Sequence, residues 1–368
     1  MRLDFRSLAP LFLALSVAML VGLEFSSQRD LPPLRPAPGF AQRRLSDYFE
    51  PLKGTPADAP VFVAEGGRAG ASVLVMGGVH PNEPAGHLAA VLLVERAAVR
   101  AGRLFVLPYA NPMGFSHTQP QEASPPYVRV RRPDGSLRAF KYGSRLTNPI
   151  HQWPDPTVYL TPVGGQAIAG SESRNLNRCF PGRPDGNLTE RLAYAITELI
   201  REEGIDLVID LHEASPEYPV INAMVAHPRA MELASVAVMA MQMRGIKIGL
   251  EVSPANLRGL SHRELGDATR ALVVLMETGN PSQGRLRGRT DEALVLTGAD
   301  KAYRRAHALG RLFVPYDEGR LPLELRVGRH LEGIRALLES LRLLGKEVSV
   351  EGIPSLGEIL DRGLGSFL

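Results

Sequence analysis

Three apolar runs in this 368-residue chain each end in a residue able to bind a metal or move a proton. SVLVMGG (72–78) runs into Val79-His80-Pro81-Asn82-Glu83, DLVID (206–210) into Leu211-His212-Glu213, and ALVVLM (271–276) into Glu277-Thr278-Gly279-Asn280. Apolar runs of this length read as strands, and in an open α/β sheet ligands bind in the crevice at the carboxyl ends of strands. Groups carried there by separate strands can converge on one point. His80 and Glu83 lie three apart on a turn entering a helix, so both side chains can face one side. A third ligand from a distant strand completes a site that leaves zinc an open position for water. Gly77 and Gly78 keep the backbone slim beside such a site. Taken alone, H-x-x-E also describes a polar turn beside a helix cap, His212 a satisfied buried histidine, and Glu277 a salt-bridged carboxylate. Their coincidence at three strand ends favours the chemical reading.

The elements that must position these residues alternate in type. Strands are predicted at 61–64, 72–78, 103–108, 206–210, 220–226 and 271–276, and helices at 84–100, opened by Pro84, at 188–203, capped near Asn187 or Thr189, and at 231–243. Fully apolar strands need cover on both faces, so the pattern predicts an α/β fold with a mixed central β-sheet sandwiched by helices. Residues 112–172 are rich in Pro, Gly and Arg with little periodicity and read as binding loops or short hairpins. From Leu323 the chain reads as a helix and a second short one, a helical C-terminal extension packing on or extending the main domain. The predicted organisation is a signal peptide or membrane anchor at 1–26, a Pro-rich linker at 27–58, the α/β domain at 59–320 and the helical extension at 321–368.

Composition narrows the function classes. The net charge of +3 comes from scattered arginines rather than a dense basic tract, so nucleic acid is not an expected partner. Cys179 is the single cysteine, which excludes an intrachain disulfide and leaves any metal to histidine and carboxylates. Beside Arg178 it could be an activated thiolate or a small buried turn residue. Neither a G-x-S-x-G elbow nor a Walker-type glycine loop is present. The N-terminus pairs Arg2 and Arg6 with the uncharged run LAPLFLALSVAMLVGL (8–23), which partitions into a bilayer and implies export, with the domain periplasmic or membrane-anchored outside the cytoplasm.

The blocks GGVHPNEPAG, RNLNRCFPG and DLVIDLHEAS, spread over roughly residues 60–285, resemble the motifs of the succinylglutamate desuccinylase/aspartoacylase family within the zinc carboxypeptidase superfamily. The resemblance implies one Zn2+ per chain held by His80, Glu83 and His212, Glu277 as general base, and Asn177 with Arg178 as the clamp for a substrate carboxylate. The chemistry agrees: zinc brings the pKa of its water to about 7 and polarises the scissile carbonyl, while a nearby carboxylate takes the proton and passes it to the leaving nitrogen. Arg178 offers a planar fork matched to a carboxylate. Arg174 or Arg145 could stabilise the oxyanion, Arg145 also serving substrate binding. A two-histidine, one-carboxylate set also suits Fe(II), and the resemblance to hydrolases tips the expectation to zinc.

The chain also departs from the pattern. Asn175-Leu176-Asn177-Arg178 stands where the family commonly reads Asp-Leu-Asn-Arg, removing a carboxylate beside the clamp. The expected function is a zinc-dependent hydrolase cleaving an amide next to a carboxylate, of the N-acyl amino acid deacylase type. The alternatives are a zinc carboxypeptidase acting on cell-envelope or other peptides, and a non-catalytic metal- or ligand-binding envelope protein.

Overall fold

Apolar runs too continuous for a half-solvated strand become the centre of a nine-stranded mixed sheet. The computed structural model describes residues 5–27, 30–118 and 125–368. Its strands are β1 (Phe40–Arg44), β2 (Pro60–Glu65), β3 (Arg68–Met76), β4 (Ala98–Leu107), β5 (Tyr127–Arg131), β6 (Leu137–Lys141), β7 (Val158–Leu160), β8 (Ala167–Ala169), β9 (Leu207–Ala214), β10 (Ala223–Ala226), β11 (Gly249–Val252), β12 (Leu272–Gly279) and β13 (Ser349–Glu351). Its helices are α1 (Phe5–Ser27), α2 (Pro84–Arg96), α3 (Leu188–Glu202), α4 (Met231–Met243), α5 (Ser261–Ala268), α6 (Glu292–Thr297), α7 (Lys301–Ala308), α8 (Leu323–Leu343) and α9 (Leu356–Arg362).

The sheet runs β1-β2-β4-β3-β9-β12-β10-β11, with β13 also paired to β4. Its four central strands, β4, β3, β9 and β12, are mutually parallel, whereas β2 and β10 join them antiparallel. The period of two along β3 sorts its side chains onto two faces. Val73 and Val75 pack with Leu88 of α2, Leu233 of α4 and Leu331 of α8, whereas Leu74 and Met76 pack with Leu192 and Ile196 of α3. Both faces are thus covered by helices, as the sequence pattern requires. Asn187 caps α3 reciprocally: its side chain accepts from the Glu190 amide at 2.9 Å, and the Glu190 carboxylate accepts from the Asn187 amide at 3.0 Å.

One region differs from expectation. Residues 40–58 were expected as linker, but β1 pairs in register with β2, and Leu45, Leu52 and Ala57 are fully buried in the core with α3. The exposed Gln and Arg side chains of this edge strand hide it in a sequence read by hydrophobicity. Within 112–172 the described residues form the expected short hairpins, β5–β6 and β7–β8, with a 3-10 turn before the first (Pro112–Ser116) and another after the second (Gly170–Arg174). In the helical C-terminal extension, α8 packs on the main domain, contributing Leu323, Val327, Leu331, Ile334, Leu337 and Leu341 to its core.

Candidate metal centre

Parallel pairing of β9 with β12 sets His212 directly beside Glu277, and parallel pairing of β3 with β9 brings the turn after Met76 to the same end of the sheet. That turn is shaped by glycine. A Cβ on Gly77 would lie 2.6 Å from the Gly86 carbonyl, and Gly78 has φ of +69°, so neither position accepts a larger residue without displacement. Pro84 opens α2 directly after Glu83, and the 2.4 Å that would separate a Gly86 Cβ from the Leu211 carbonyl shows how closely this helix sits on β9.

His80, Glu83 and His212 are consequently brought together, 3%, 2% and 1% exposed, with one ligand atom from each lying within 4.8 Å of the others. The carboxylate of Glu83 lies between the two rings: Oε1 is 2.8 Å from His80 Nδ1 and Oε2 is 2.9 Å from His212 Nδ1. Each far nitrogen has its own partner. His80 Nε2 donates to Asn175 Oδ1 at 2.9 Å, and His212 Nε2 donates to Asp210 Oδ2 at 2.9 Å. Asn175 is fixed in that orientation because Oδ1 also accepts from the Asn177 amide while Nδ2 donates to Glu172.

This arrangement leaves the Nδ1 lone pair of each neutral imidazole facing a carboxylate oxygen. Two acceptors opposed at under 3 Å need a cation between them, either a proton or a metal, so the donor set fits a divalent ion held by His80 Nδ1, His212 Nδ1 and Glu83. The titration of the three groups divides accordingly. Burial and the nearby Arg145 push His80 down to about 4. Burial opposes charge on His212, yet the Asp210 and Glu83 carboxylates raise it well above the usual histidine range. Glu83 is held well below the usual carboxylate range by His80 and His212 in spite of its burial.

Glu277 completes the wall. Its Oε2 is buried with no hydrogen-bond partner among the described residues. Burial, with the Glu83 and Asp210 charges, outweighs His212 and Arg145 and pushes the carboxyl up to about 8. A carboxyl poised there can accept and return a proton near neutrality.

The four arginine and asparagine candidates separate. Arg145 Nη1 reaches the cluster, 3.3 Å from His80 Nδ1 and 3.4 Å from Glu83 Oε1. Arg178 is partly exposed, its Nε 3.7 Å from Glu172 Oε2, and burial with the neighbouring Arg145 lowers its pKa. Asn177 Oδ1 accepts from the Ser261 amide at 2.8 Å, tying the RNLNR segment to the start of α5. Arg174 is used elsewhere: Nε and Nη2 grip Asp155 at 2.7 and 2.9 Å, and Nη1 donates to the Thr147 carbonyl. All its hydrogen bonds brace the 147–155 loop and none meets the metal cluster. Cys179 is fully buried, and burial drives its thiol well above the ordinary range, which removes the thiolate reading.

Three groups at the site escaped the sequence reading. Asp210 lies two residues before His212 and so shares its face of β9, a period-two signal present in DLVIDLH. Ser261 Oγ also donates to it. Asn175 touches His80 across 95 positions, which no local pattern reveals. Glu213 is fully buried between three elements: Oε1 accepts from Arg326 of α8 at 2.6 Å, and Oε2 accepts from the Ala85 amide at 2.9 Å and from Asn280 at 3.2 Å.

Fold and site together define a protein with a buried two-histidine, one-carboxylate centre at the carboxyl end of a mixed α/β sheet. The chain belongs to the succinylglutamate desuccinylase/aspartoacylase family, whose catalytic-domain profile matches residues 69–290, more than half its length. Among curated relatives, it is similar to the N-alpha-acetyl-L-2,4-diaminobutyric acid deacetylase of Halomonas elongata, 34% identical over 65 residues, which are 18% of this chain and 19% of the relative. Among solved structures it is similar to a succinylglutamate desuccinylase from a Silicibacter species, at 17% identity and a TM-score of 0.41 over 78% of this chain and 61% of that one. It is also similar to the tripeptide-bound cell shape determinant Csd4 of Helicobacter pylori, at 13% identity and a TM-score of 0.46 over 80% of this chain and 57% of that one. The chain therefore spans about a fifth of the curated relative and less than two thirds of these two structures.

Proposed function

We propose that this protein is a zinc-dependent hydrolase of the deacylase type, cleaving an amide bond in a small substrate that carries a carboxylate. The observation that carries the reading is Glu277: a carboxyl with a buried, unpartnered oxygen and a pKa pushed up to about 8, on the strand beside His212. His80, Glu83 and His212 would hold the ion, with Asn175 and Asp210 fixing the two rings so that Nδ1 faces inward. A zinc bound there supplies a water of pKa about 7 and polarises the scissile carbonyl. Glu277 accepts the proton released in the attack and delivers it to the departing nitrogen. Arg178 holds the substrate carboxylate with its guanidinium fork, and Arg145, which faces the cluster, is placed to stabilise negative charge on the carbonyl oxygen. Arg174, committed to Asp155, is left as a brace for the loop that carries Arg145. Membership of a family named for deacylases and similarity to a deacetylase support the same reading.

The test is metal analysis and turnover on N-acyl amino acids and short peptides, for the wild type and Glu277→Gln. One zinc per chain in both proteins, with turnover lost only in the variant, is the expected result; turnover indifferent to Glu277 overturns the reading. Helix α1, whose span Leu8–Ser27 is apolar and long enough to cross a membrane, is proposed as an anchor that holds the domain outside the cytoplasm. Protease accessibility in intact spheroplasts tests that placement, and a protected domain refutes it.

A further inference from the structure

The arginines that read as scattered are unevenly placed on the fold. Between Arg285 and Arg311 the chain carries seven Lys and Arg against three acids, an excess of four where the whole chain has a net charge of +3, so the remainder stands at −1. Those three acids are committed: Asp291 and Asp300 cap α6 and α7, and Glu292 pairs with Arg129 of β5. The acids that follow, Asp317 and Glu318, pair with His307 and Arg320. Arg285, Arg289, Lys301, Arg304, Arg305 and Arg311 are exposed, and none forms an ion pair among the described residues.

The fold gathers these cations onto one surface. Glu217, in the turn after β9, accepts from the Arg285 amide and from the Tyr303 hydroxyl of α7, both at 2.7 Å, and the Gly288 amide donates to Asp300 at the start of α7 at 3.0 Å. Loop 284–289 is thereby fastened to α7. Lys301, Arg304 and Arg305 stand at i, i+3 and i+4 on one face of that helix, while Tyr303 and Ala306 are buried. Exposed apolar side chains are interleaved with the cations: Leu286, Leu309 and Phe313 are 41%, 62% and 64% exposed. Cations alone suit any polyanion. Cations mixed with exposed Leu and Phe suit a surface that is anionic outside and apolar just beneath, which is a bilayer containing acidic lipids.

The same surface is continuous with the end of α1 and with the metal centre. Lys141 Nζ, at the end of β6, donates to the Ser27 carbonyl of α1 at 3.4 Å; the next residue, Tyr142, hydrogen-bonds Ser282 at 3.1 Å, three positions before Arg285. Gln283 Oε1 accepts from Asn82, which stands between His80 and Glu83, at 3.1 Å. Resting on the reading of α1 as a membrane anchor, we propose that loop 284–289 and α7 form a docking surface for an anionic lipid bilayer, holding the rim of the metal centre against the membrane. A single span leaves the domain free to turn about its tether; the basic surface fixes which part of it meets the lipid.

The test uses the full-length protein with vesicles of phosphatidylcholine, or of phosphatidylcholine mixed with phosphatidylglycerol. A fluorophore on Leu309→Cys reports lipid contact through quenching by spin-labelled lipid, and one on Glu202→Cys, at the exposed end of α3, is the reference; Cys179 is buried and does not compete for label. In mixed vesicles the Leu309 label is expected to be quenched at least about fivefold more than the Glu202 label, and to lose that excess in high salt, in phosphatidylcholine alone, and in the combined Lys301→Glu, Arg304→Glu, Arg305→Glu variant. Equal quenching of the two labels in mixed vesicles overturns the proposal, as does an excess that is as large in phosphatidylcholine alone or indifferent to salt. A response of the Leu309 label to soluble polyphosphate, without excess quenching in mixed vesicles, overturns it in favour of a soluble polyanion. Failure of the protein to sediment with phosphatidylcholine vesicles counts against the anchor reading alone, because the label still reads the basic surface on mixed vesicles added to the soluble chain.

Discussion

The two histidines that face Glu83 stand in opposite surroundings. His212 lies inside the central sheet, its far nitrogen held by the buried Asp210 carboxylate, and its neighbour Glu213 is bolted to Arg326 of α8. His80 sits on a glycine-shaped turn, its far nitrogen held by a neutral amide and its near nitrogen faced by the partly exposed Arg145. The same carboxylate touches both rings, yet His212 is raised well above its ordinary pKa and His80 is lowered to about 4. One side of the centre is therefore built to hold charge in a fixed place. The other side, continuous with Asn175, Glu172 and Arg178, opens towards solvent.

The sharpest way to break this contrast is to cut the bolt. Arg326→Met leaves Glu213 buried without its cation, and breaking a buried pair from one side costs about 3–5 kcal/mol, so chemical denaturation is expected to show a loss of that order. Arg145→Met, on the open side, is expected to change stability by less than about 1 kcal/mol.

A second test uses pH on the metal-free protein. Glu277 has an ordinary value of 4.5 and a folded value of about 8, so the folded state favours its neutral form. The resulting stabilisation is fully present below about 4.5 and is lost as the pH rises through about 8. Unfolding free energies measured across that window should fall by a few kcal/mol more in the wild type than in Glu277→Gln. Parallel slopes would mean that the Glu277 carboxyl is not buried as described.

Third, the ring-orienting groups should rank. Asp210→Asn keeps a hydrogen-bonding side chain but removes the charge, and is expected to weaken zinc binding about 10–100-fold; Asn175→Ala, removing a neutral partner, should weaken it less. Competition with a chromogenic chelator measures both, and the reverse order would contradict the division drawn here. Smallest in size, zinc uptake should release a proton, because the raised pKa leaves His212 protonated in the metal-free protein and a ligand nitrogen must be neutral. Calorimetry in buffers of different ionisation enthalpy reads it directly, with affinity falling as pH falls.

Much of this centre was legible in the chain. His80, Glu83, His212 and Glu277 each follow an apolar run, and parallel pairing of β3, β9 and β12 brings those run-ends together. Asp210 was legible too, by its two-residue offset from His212, though nothing in a single run says which alternate residue will serve a metal ligand. What stayed hidden depends on contacts between distant segments. Arg174 and Arg145 look alike in sequence, and only the placement of Asp155 assigns one to a loop brace. β1 hid behind exposed arginines, and the apolar face of α8 predicted that it packs on the domain without saying which strands and helices it covers.

That last element has a consequence for how the protein comes into being. Glu213 stays a buried acid without its counter-cation until Arg326 has been made and α8 has folded back across the sheet. The nascent chain carries His80, Glu83, His212 and Glu277 long before that moment, with their scaffold unsecured. The scaffold of the centre is therefore completed only by a segment synthesised 114 residues after His212.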